Sequence, residues 1–179
     1  MHIRKTTMAD LDAVMTIIEE ARYTIAALGI DQWQKGSPNR EMLSEDISFG
    51  QGHCVEMDDT ENSQIVGTFA LIENGEPTYE YIEDGRWLTE DITDDGGISY
   101  LAIHRVAISV ANRGSGVSTA ILHYAADTAR RLGRTSLRID THRGNVVMRR
   151  MLEKHGFTHC GTIYLQNGDP RVAYERVLS

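Results

Sequence analysis

The chain has 179 residues, of which 41% are hydrophobic and 25% are charged, as in an ordinary water-soluble globular domain. Its formal net charge of -8 argues against nucleic acid as the main partner, and no apolar run approaches the roughly 20 residues that span a bilayer. Two cysteines, Cys54 and Cys160, form neither a disulfide framework nor a metal cluster, and the first residues lack the apolar stretch of a signal peptide, so we expect a reduced cytoplasmic protein without a metal.

Hydrophobic periodicity and turn residues predict the elements along the chain. Apolar residues recur at helical spacing from Leu11 to Ala21, whereas the near-continuous apolar run 65–72 is typical of a strand covered on both faces. In chain order the sequence predicts a strand at 2–6, a helix ending near 28, a helix from 38 to 50, strands at 53–57, 64–73 and 98–109, a helix at 115–132, a strand at 137–141, a helix at 146–154, and strands at 157–165 and 171–177. The polar residues 58–62 are predicted to turn the chain between its second and third strands.

This order of elements predicts one α/β domain over residues 1–179, with a mixed (α+β) twisted sheet and helices on both of its faces. Residues 74–97 form an acidic insertion in which Arg86 is the single basic residue. Arginines concentrate instead between Arg113 and Lys154. A basic stretch in an acidic protein suggests that an anionic ligand is held at one place.

A glycine-containing turn between the strand at 98–109 and the helix at 115–132 is the most informative segment. Glycine lets the backbone turn tightly, and the first N–H groups of a helix have no internal partner and attract anions. The turn therefore predicts a pyrophosphate site, although glycines in such turns often serve geometry alone. Its residues are Arg113, Gly114, Ser115, Gly116, Val117, Ser118 and Thr119. Their spacing matches neither the dinucleotide fingerprint Gly-x-Gly-x-x-Gly nor the Gly-Lys-Ser/Thr ending of nucleotide-hydrolysing loops, which leaves the pyrophosphate of coenzyme A as a common candidate.

Two motifs resemble those of the GNAT superfamily of acyl-CoA-dependent N-acetyltransferases. Arg113, Gly116 and Ser118 occupy the three defining positions of its acyl-CoA motif, in which Ser118 replaces the usual Gly or Ala. Residues 145–157, which end in Glu-Lys-His-Gly-Phe, are similar to the family's second signature and begin with its asparagine. The first strand and helix also resemble those of the family, whereas residues 20–100 match in layout alone.

The resemblance implies acetyl-CoA as co-substrate and a sheet whose central parallel strands splay apart to admit pantetheine. The backbone of Val106, Ala107 and Ile108, together with Asn145, would then bind the pantetheine arm. An N–H group there would stabilise the oxyanion of a tetrahedral intermediate. The implied reaction is direct transfer of an acetyl group to a primary amine of a small molecule or peptide. The three strand side chains themselves are expected to pack in the core.

His104 is the candidate for the base that takes the proton of the attacking amine, because imidazole titrates near neutral pH. Asp140 and His142 alternate on the next predicted strand, so period two places them on one face. If that face lines the opening between the splayed strands, both would converge with His104 as a base with its orienting groups. In the other reading His104 packs in the sheet, and Asp140 pairs with Arg105 or Arg138.

One position departs from the family pattern. Many members have a tyrosine seven residues after the asparagine that protonates the leaving thiolate, and this chain has Leu152 there. Either Cys160, Tyr164 or water supplies that proton, or the thiolate leaves unassisted. A catalytically inactive acyl-CoA sensor is therefore the main alternative to an enzyme, and a nucleotide-binding domain is the third reading.

The acceptor pocket is expected where family members build it, from the first two helices, the loop between them and the third-strand region. Trp33, Tyr79 and Tyr81 are the predicted acceptor-binding residues, since aromatic rings in loops enclose ligands and nearby carboxylates attract a cationic amine. The alternative is that they anchor their own loops. The final hairpin would expose an edge strand. A homodimer in which the partner covers this strand is one expected assembly. Neither nucleic acid nor a membrane is expected as a partner.

Overall fold

The computed structural model describes residues 1–58 and 63–179, with the backbone alone at Asp58. The turn predicted at 58–62 therefore falls mostly on residues that lie outside the described ones. Within the described part of the chain, no helix is both long and apolar enough to cross a membrane.

The order of strands and helices is the predicted one. The described residues form seven strands and four α-helices, with short 3-10 helices at Met8–Asp10, Pro77–Tyr79 and Val110–Asn112. In chain order the elements are β1 (His2–Lys5), α1 (Leu11–Ala27), α2 (Arg40–Ser48), β2 (Gly52–Asp58), β3 (Ser63–Ile72), β4 (Tyr100–Ile108), α3 (Val117–Arg131), β5 (Ser136–Thr141), α4 (Val146–Lys154), β6 (Thr158–Tyr164) and β7 (Pro170–Val177).

Two helices begin later than predicted, each for a local reason. Pro38 does not open α2, because the side chain of Asn39 caps the helix by accepting a hydrogen bond from a first-turn N–H at 2.9 Å. The start of α3 moves to Val117 because Gly114 and Gly116 have φ of 79° and 88°, outside the helical region.

One mixed sheet contains all seven strands in the order β1-β2-β3-β4-β5-β7-β6. β4 and β5 run parallel, with Cα pairs from Tyr100↔Ser136 to Ala102↔Arg138. β1–β2, β2–β3, β5–β7 and β6–β7 pair antiparallel. β4 continues beyond the residues that pair with β5 to Ile108. The predicted mixed α/β fold is confirmed.

The described residues fall into two compact units, and a single domain over 1–179 stays a prediction. The first unit comprises 1–71 and 105–124, so it holds β1, α1, α2, β2, nearly all of β3, the end of β4 and the start of α3. Its core contains Leu11, Val14, Ile17, Ile18, Ala21, Leu43 and Ala107. The second unit comprises 72–104 and 125–179 and contains the acidic insertion, β5, α4, β6 and β7. Its core contains Tyr79, Tyr100, Ala102, Ile163 and Ala173.

The acidic insertion is anchored inside the second unit. Tyr79 is 1% exposed, and Trp87 donates a hydrogen bond from Nε1 to the Tyr79 carbonyl at 2.8 Å. Arg138 of β5 has a fully buried side chain that pairs with Glu175 of β7 at 3.0 Å and also with Asp91 of the insertion. Its guanidinium carbon lies 4.4 Å from the centre of the Trp87 ring. A stretch whose composition suggests a solvated loop therefore contributes to the core of this unit.

The insertion also covers the edge of the sheet at β6. Glu83 exchanges two backbone hydrogen bonds with Thr162, both at 2.8 Å, and the N–H of Arg86 donates to the Cys160 carbonyl at 2.9 Å. Gly85 allows this approach, since a Cβ at that position would lie 1.8 Å from the Cys160 oxygen. Over these residues the outer edge of β6 is covered, so the middle of this strand is not open to the expected homodimer, which stays a prediction.

Candidate functional site

The glycine turn lies in the first unit, at the N-terminal end of α3. Gly114 and Gly116 adopt a left-handed backbone, which favours glycine. A Cβ built on either residue would meet nothing within 4 Å, so the space above the turn is open. Arg113 and Ser115 are also exposed, and the Ser115 hydroxyl fixes the turn by donating to the Asn112 carbonyl at 2.5 Å.

The first N–H groups of α3 belong to this open end. The N–H of Ala120 donates to the Gly116 carbonyl at 3.0 Å. The amides of Val117 and Ser118 come before Ala120 in the chain, at the end of the helix where N–H groups have no intrahelical acceptor. Val117 anchors the turn with a side chain that is 1% exposed, whereas Ser118 and Thr119 are half-buried. This helix end has the geometry and the partial positive charge that bind an anion.

Arg113 is held beside the turn by α1. Its Nη2 donates a hydrogen bond to Oγ1 of Thr24 at 3.0 Å. Glu20, one turn earlier on α1, accepts a hydrogen bond from the N–H of Val110 at 2.9 Å and so fastens the preceding 3-10 helix to the same face. Among the described residues no carboxylate forms an ion pair with Arg113, which leaves its charge available to a phosphate.

The predicted pantetheine-binding residues form the last part of β4. Ala107 is 3% exposed and packs in the core of the first unit, whereas Val106 and Ile108 are half-buried. Gly67 on β3 permits close packing here, because a Cβ at that position would lie 3.0 Å from Cγ1 of Val117 and 3.4 Å from the Ala107 carbonyl oxygen. Within this unit, β3 therefore lies directly against the end of β4 and the start of α3.

Arg105, which precedes these residues, has φ of 54°, a value that residues other than glycine adopt rarely. Its Nη1 lies 3.1 Å from Oδ1 of the buried Asp46 of α2. The alternative in which Asp140 pairs with Arg105 or Arg138 is wrong, because Arg138 pairs with carboxylates of β7 and the insertion. Asp140 instead accepts a hydrogen bond from Oη of Tyr79 at 2.9 Å.

His104 lies in the second unit, where two residues of the insertion contact its ring. Its Nε2 is buried and lies 3.3 Å from Oε2 of Glu76, without the alignment of a hydrogen bond. The rings of Tyr79 and His104 stack with their centroids 5.9 Å apart. Because Tyr79 also donates to Asp140, it links two of the predicted catalytic residues. Burial, and then the negative charge of Asp140, raise the pKa of Tyr79 well above its ordinary value, so the phenol stays protonated.

His142 does not lie where the sequence placed it. β5 ends at Thr141, so His142 follows the strand, and the argument that period two puts it on one face with Asp140 fails. Its Nδ1 accepts a hydrogen bond from the N–H of Gly144 at 3.0 Å. Asn145 caps α4, since its Oδ1 accepts a hydrogen bond from an amide of the first turn at 3.2 Å.

The side chains considered as proton donors for a leaving thiolate are poorly suited to that role. Leu152 is fully buried in α4 and has no proton to give. Burial raises the pKa of Cys160 to about 11, and the hydrogen bond to Glu83 raises the pKa of Tyr164. A group with a raised pKa gives up its proton less readily, so neither side chain is a good substitute for the family's tyrosine.

The three predicted acceptor-binding residues lie in different environments. Trp33, in the loop between α1 and α2, has φ of 67° and packs against the core of the first unit. Tyr79 is buried in the core of the second unit, so its ring is not exposed for an acceptor to stack on. Tyr81 is 62% exposed and presents an aromatic ring at the surface of that unit.

Sequence reasoning missed Glu76 as a neighbour of His104. The local signal is the dipeptide Glu76-Pro77, in which a side chain able to accept from the backbone precedes a proline at the first helical position. The Glu76 side chain indeed accepts from the N–H of Thr78 at 3.1 Å and caps the 3-10 helix. Which histidine such a turn would contact cannot be read from its local pattern.

A match to a family model identifies the family to which this chain is related. A model described as the acetyltransferase (GNAT) family matches residues 22–157, a range that includes the glycine turn, β4 and β5. The chain belongs to the GNAT acetyltransferase family. Among proteins with curated functions, none matches this GNAT chain significantly. Among the residues that the structure describes, no group of three or more His, Cys, Asp or Glu side chains is placed to hold a metal ion.

Solved structures agree with this membership. A GNAT-family acetyltransferase from Streptococcus agalactiae is 34% identical, with a TM-score of 0.85 and coverage of 99% of this chain and 95% of that one. A GNAT-family acetyltransferase from Listeria monocytogenes is 18% identical, with a TM-score of 0.70 and coverage of 99% and 94%. One from Staphylococcus aureus is 14% identical, with a TM-score of 0.64 and coverage of 99% of both chains. The last two show a shared fold.

Proposed function

We propose that this GNAT protein transfers the acetyl group of acetyl-CoA to a primary amine of a small molecule or peptide. The observation that carries the proposal is the exposed turn at the start of α3, where Gly114 and Gly116 leave open space before a helix end. Membership of an acetyltransferase family makes acetyl-CoA the expected donor.

The turn offers several groups to the diphosphate of coenzyme A. The amides at the start of α3 would donate hydrogen bonds to it, and the guanidinium of Arg113 would add a full positive charge. The neighbouring hydroxyls would donate further hydrogen bonds; they belong to Ser115, Ser118 and Thr119. The open space above the turn fits a bulky anion, since nothing lies within 4 Å of a Cβ built at either glycine.

The pantetheine arm would bind the backbone at the end of β4. The groups proposed are those of Val106, Ala107 and Ile108, and an N–H there would stabilise the oxyanion when the amine attacks the thioester carbonyl. Asn145 is also proposed as a contact, through groups that its capping bond leaves available. Holding the amine and the thioester together supplies much of the remaining acceleration.

His104 is proposed as the base that takes the proton of the amine. A neutral amine is the nucleophile, so its proton must pass to a nearby group. Support comes from the contact of the His104 ring with Tyr79, whose hydroxyl donates a hydrogen bond to Asp140. A protonated His104 would therefore lie in a network that ends in a carboxylate. His142 is the third proposed member, although it follows the strand and does not belong to it.

The acceptor is proposed to be a cationic amine. The insertion carries an excess of carboxylates, which raise the local concentration of cations. Tyr81, which is exposed, and Trp33, in the loop between α1 and α2, are the aromatic residues proposed to contact it. The buried ring of Tyr79 would act through His104 and Asp140.

Binding of acetyl-CoA tests the donor site. Arg113→Glu and Gly116→Asp should each abolish the thermal stabilisation that acetyl-CoA gives, because both place negative charge at the diphosphate site. Arg131→Glu is the matched control, since it makes the same change at the exposed C-terminal end of the same helix. Unchanged binding by both turn variants would refute the site, and stabilisation by ATP or NAD in place of acetyl-CoA would favour a nucleotide-binding domain.

Release of the CoA thiol tests the reaction. The alternative function is a non-catalytic acyl-CoA sensor, which the buried Leu152 favours because it offers no proton to a leaving thiolate. An enzyme should release thiol with at least one member of a panel of polyamines, aminoglycosides and peptide N-termini. A sensor should bind acetyl-CoA and release none. His104→Ala should lower the rate, and an unchanged rate across pH would exclude His104 as the base.

A further inference from the structure

We infer that Glu76 is a positioning residue for His104, whose carboxylate keeps one imidazole nitrogen protonated so that the other accepts the proton of the amine. The inference rests on the proposed function, in which His104 is the base. It also gives the acidic insertion a part in catalysis. The match to the family covers this insertion, but neither of the two sequence motifs lies in it.

The carboxylate of Glu76 is fixed by its own turn. The N–H of Glu76 donates to Oη of Tyr100 at 2.8 Å. Its Oε1 accepts from the N–H and the hydroxyl of Thr78, at 3.1 Å and 2.8 Å. Its Oε2 lies 3.3 Å from Nε2 of His104. One oxygen therefore holds the carboxylate in place, and the other contacts the histidine.

The imidazole is confined on a second side. Tyr79, the last residue of the 3-10 helix that Glu76 caps, stacks on the His104 ring with an interplanar angle of 23°. Tyr79 is itself tied to Asp140 through its hydroxyl. The side chains of His104 and Glu76 are 20% and 17% exposed, so solvent screens their interaction less than it would at the surface. The approach of Nε2 to Oε2 is within ion-pair distance, although the N–H is not aligned as a hydrogen bond.

The chemistry of the two groups assigns the proton. A carboxylate accepts hydrogen bonds and donates none, so the nitrogen that faces it carries hydrogen. Nδ1 of His104 is then the unprotonated nitrogen. When the amine attacks, its N–H bond breaks and an Nδ1–H bond forms, and the carboxylate of Glu76 stabilises the resulting imidazolium.

A purely structural role for Glu76 makes a different prediction. Capping of the 3-10 helix uses Oε1 alone, and glutamine keeps an oxygen that accepts from Thr78. Glu76→Gln would therefore preserve the turn and remove the negative charge beside His104. If the residue served only as a cap, this substitution would leave the rate unchanged.

Steady-state kinetics with acetyl-CoA and the best amine of the panel test the inference. Glu76→Gln should lower kcat roughly tenfold to a hundredfold while the KM for acetyl-CoA changes less than about twofold. Glu73→Gln, the same change three residues earlier, should leave both constants unchanged. In a His104→Ala background, Glu76→Gln should have no further effect, because the group that it positions is gone.

The proton on the imidazole can be observed without any activity. Heteronuclear NMR of the unliganded protein, above the pH range in which imidazole titrates, should find hydrogen on Nε2 of His104 in the wild type and a smaller Nε2–H fraction in Glu76→Gln. Hydrogen on Nδ1 in the wild type would overturn the inference, as would independent effects of the two substitutions on kcat. If no amine is acetylated, the proposed function and the catalytic role of Glu76 both fail, while the NMR result still decides the contact itself.

Discussion

Replacing Arg138 by methionine should destabilise the protein by about 3–5 kcal/mol at neutral pH. The guanidinium is fully buried, donates from Nε to Oε1 of Glu175 at 3.0 Å and donates from Nη2 to the Thr89 carbonyl at 2.7 Å. It also pairs with Asp91 and lies over the rings of Trp87 and Tyr100, 4.4 Å and 4.1 Å from their centres. Methionine can make none of these contacts.

The size of the effect comes mainly from the partner that is left behind. Glu175 is 0% exposed, and a buried carboxylate without its counter-charge must either stay charged in apolar surroundings or take up a proton. Methionine fills much of the volume of the arginine stem, so a cavity adds little. Glu175 keeps hydrogen bonds from Ser136, Thr89 and Leu88, which places the expected loss near the lower end of the range, about 3 kcal/mol.

Urea unfolding followed by circular dichroism would measure the loss. Arg130→Met is the matched control, because Arg130 pairs with Asp127 at the surface of α3, where the arginine side chain is 44% exposed, and its loss should cost less than about 0.5 kcal/mol. Adding Glu175→Met to Arg138→Met should cost less than the sum of the two single changes, since both charges then leave together. A loss below about 1 kcal/mol for Arg138→Met, or strict additivity in the double variant, would refute this reasoning.

Three further changes test other contacts. Gly67→Ala should lower the free energy of unfolding by about 1–3 kcal/mol and weaken acetyl-CoA binding, because the new Cβ would lie 3.0 Å from the first residue of α3; an unchanged Tm and unchanged binding would contradict it. Gly85→Ala should detach residues 83–86 from β6, since its Cβ would lie 1.8 Å from a carbonyl oxygen, and limited proteolysis should then cleave the insertion faster than in the wild type. Hydrogen bonds from Arg4 hold the pKa of Asp10 well below its usual range, so its contribution to stability is present above the unfolded-state pKa of about 3.9 and is lost as the pH falls. Asp10→Asn should therefore cost about 1–2 kcal/mol at neutral pH and progressively less in acid, and a cost that does not vary with pH in urea titrations would argue against this ion pair.

The helices and strands were predictable where local chemistry marks their ends. The bounds of α4 follow from the asparagine that caps its first turn and from Gly156, whose φ of 81° ends the helical path. The predicted start of α2 was wrong, because Pro38 and Asn39 are both residues that begin helices and only the asparagine does so here. The end of β5 at Thr141 was predicted correctly, and the error over His142 came from applying the period of two to a residue beyond that strand.

The contacts around the candidate base were not predictable, since they join residues far apart in the chain. Glu76 and His104, or Tyr79 and Asp140, belong to different elements, and hydrophobic periodicity carries no information about which of them meet. The acidic composition of residues 74–97 also gave a wrong expectation, that of a solvated loop. An acidic run is usually solvated, and although Pro77 marks Glu76 as the cap of a helix, the local sequence does not show that its carboxylate is half-buried whereas that of Asp94 is exposed.

The backbone pairing of Glu83 and Arg86 with β6 also restricts how the insertion can vary in length. A loop that merely crosses a surface tolerates an added or deleted residue, because its path can adjust. A segment whose N–H and carbonyl groups pair with a strand does not tolerate such a change, since a shift of one residue turns every side chain of the segment to the opposite face of the sheet. Variation in this part of the protein should therefore be confined to residues ahead of Glu83 or beyond Arg86, where no such pairing with β6 fixes the register.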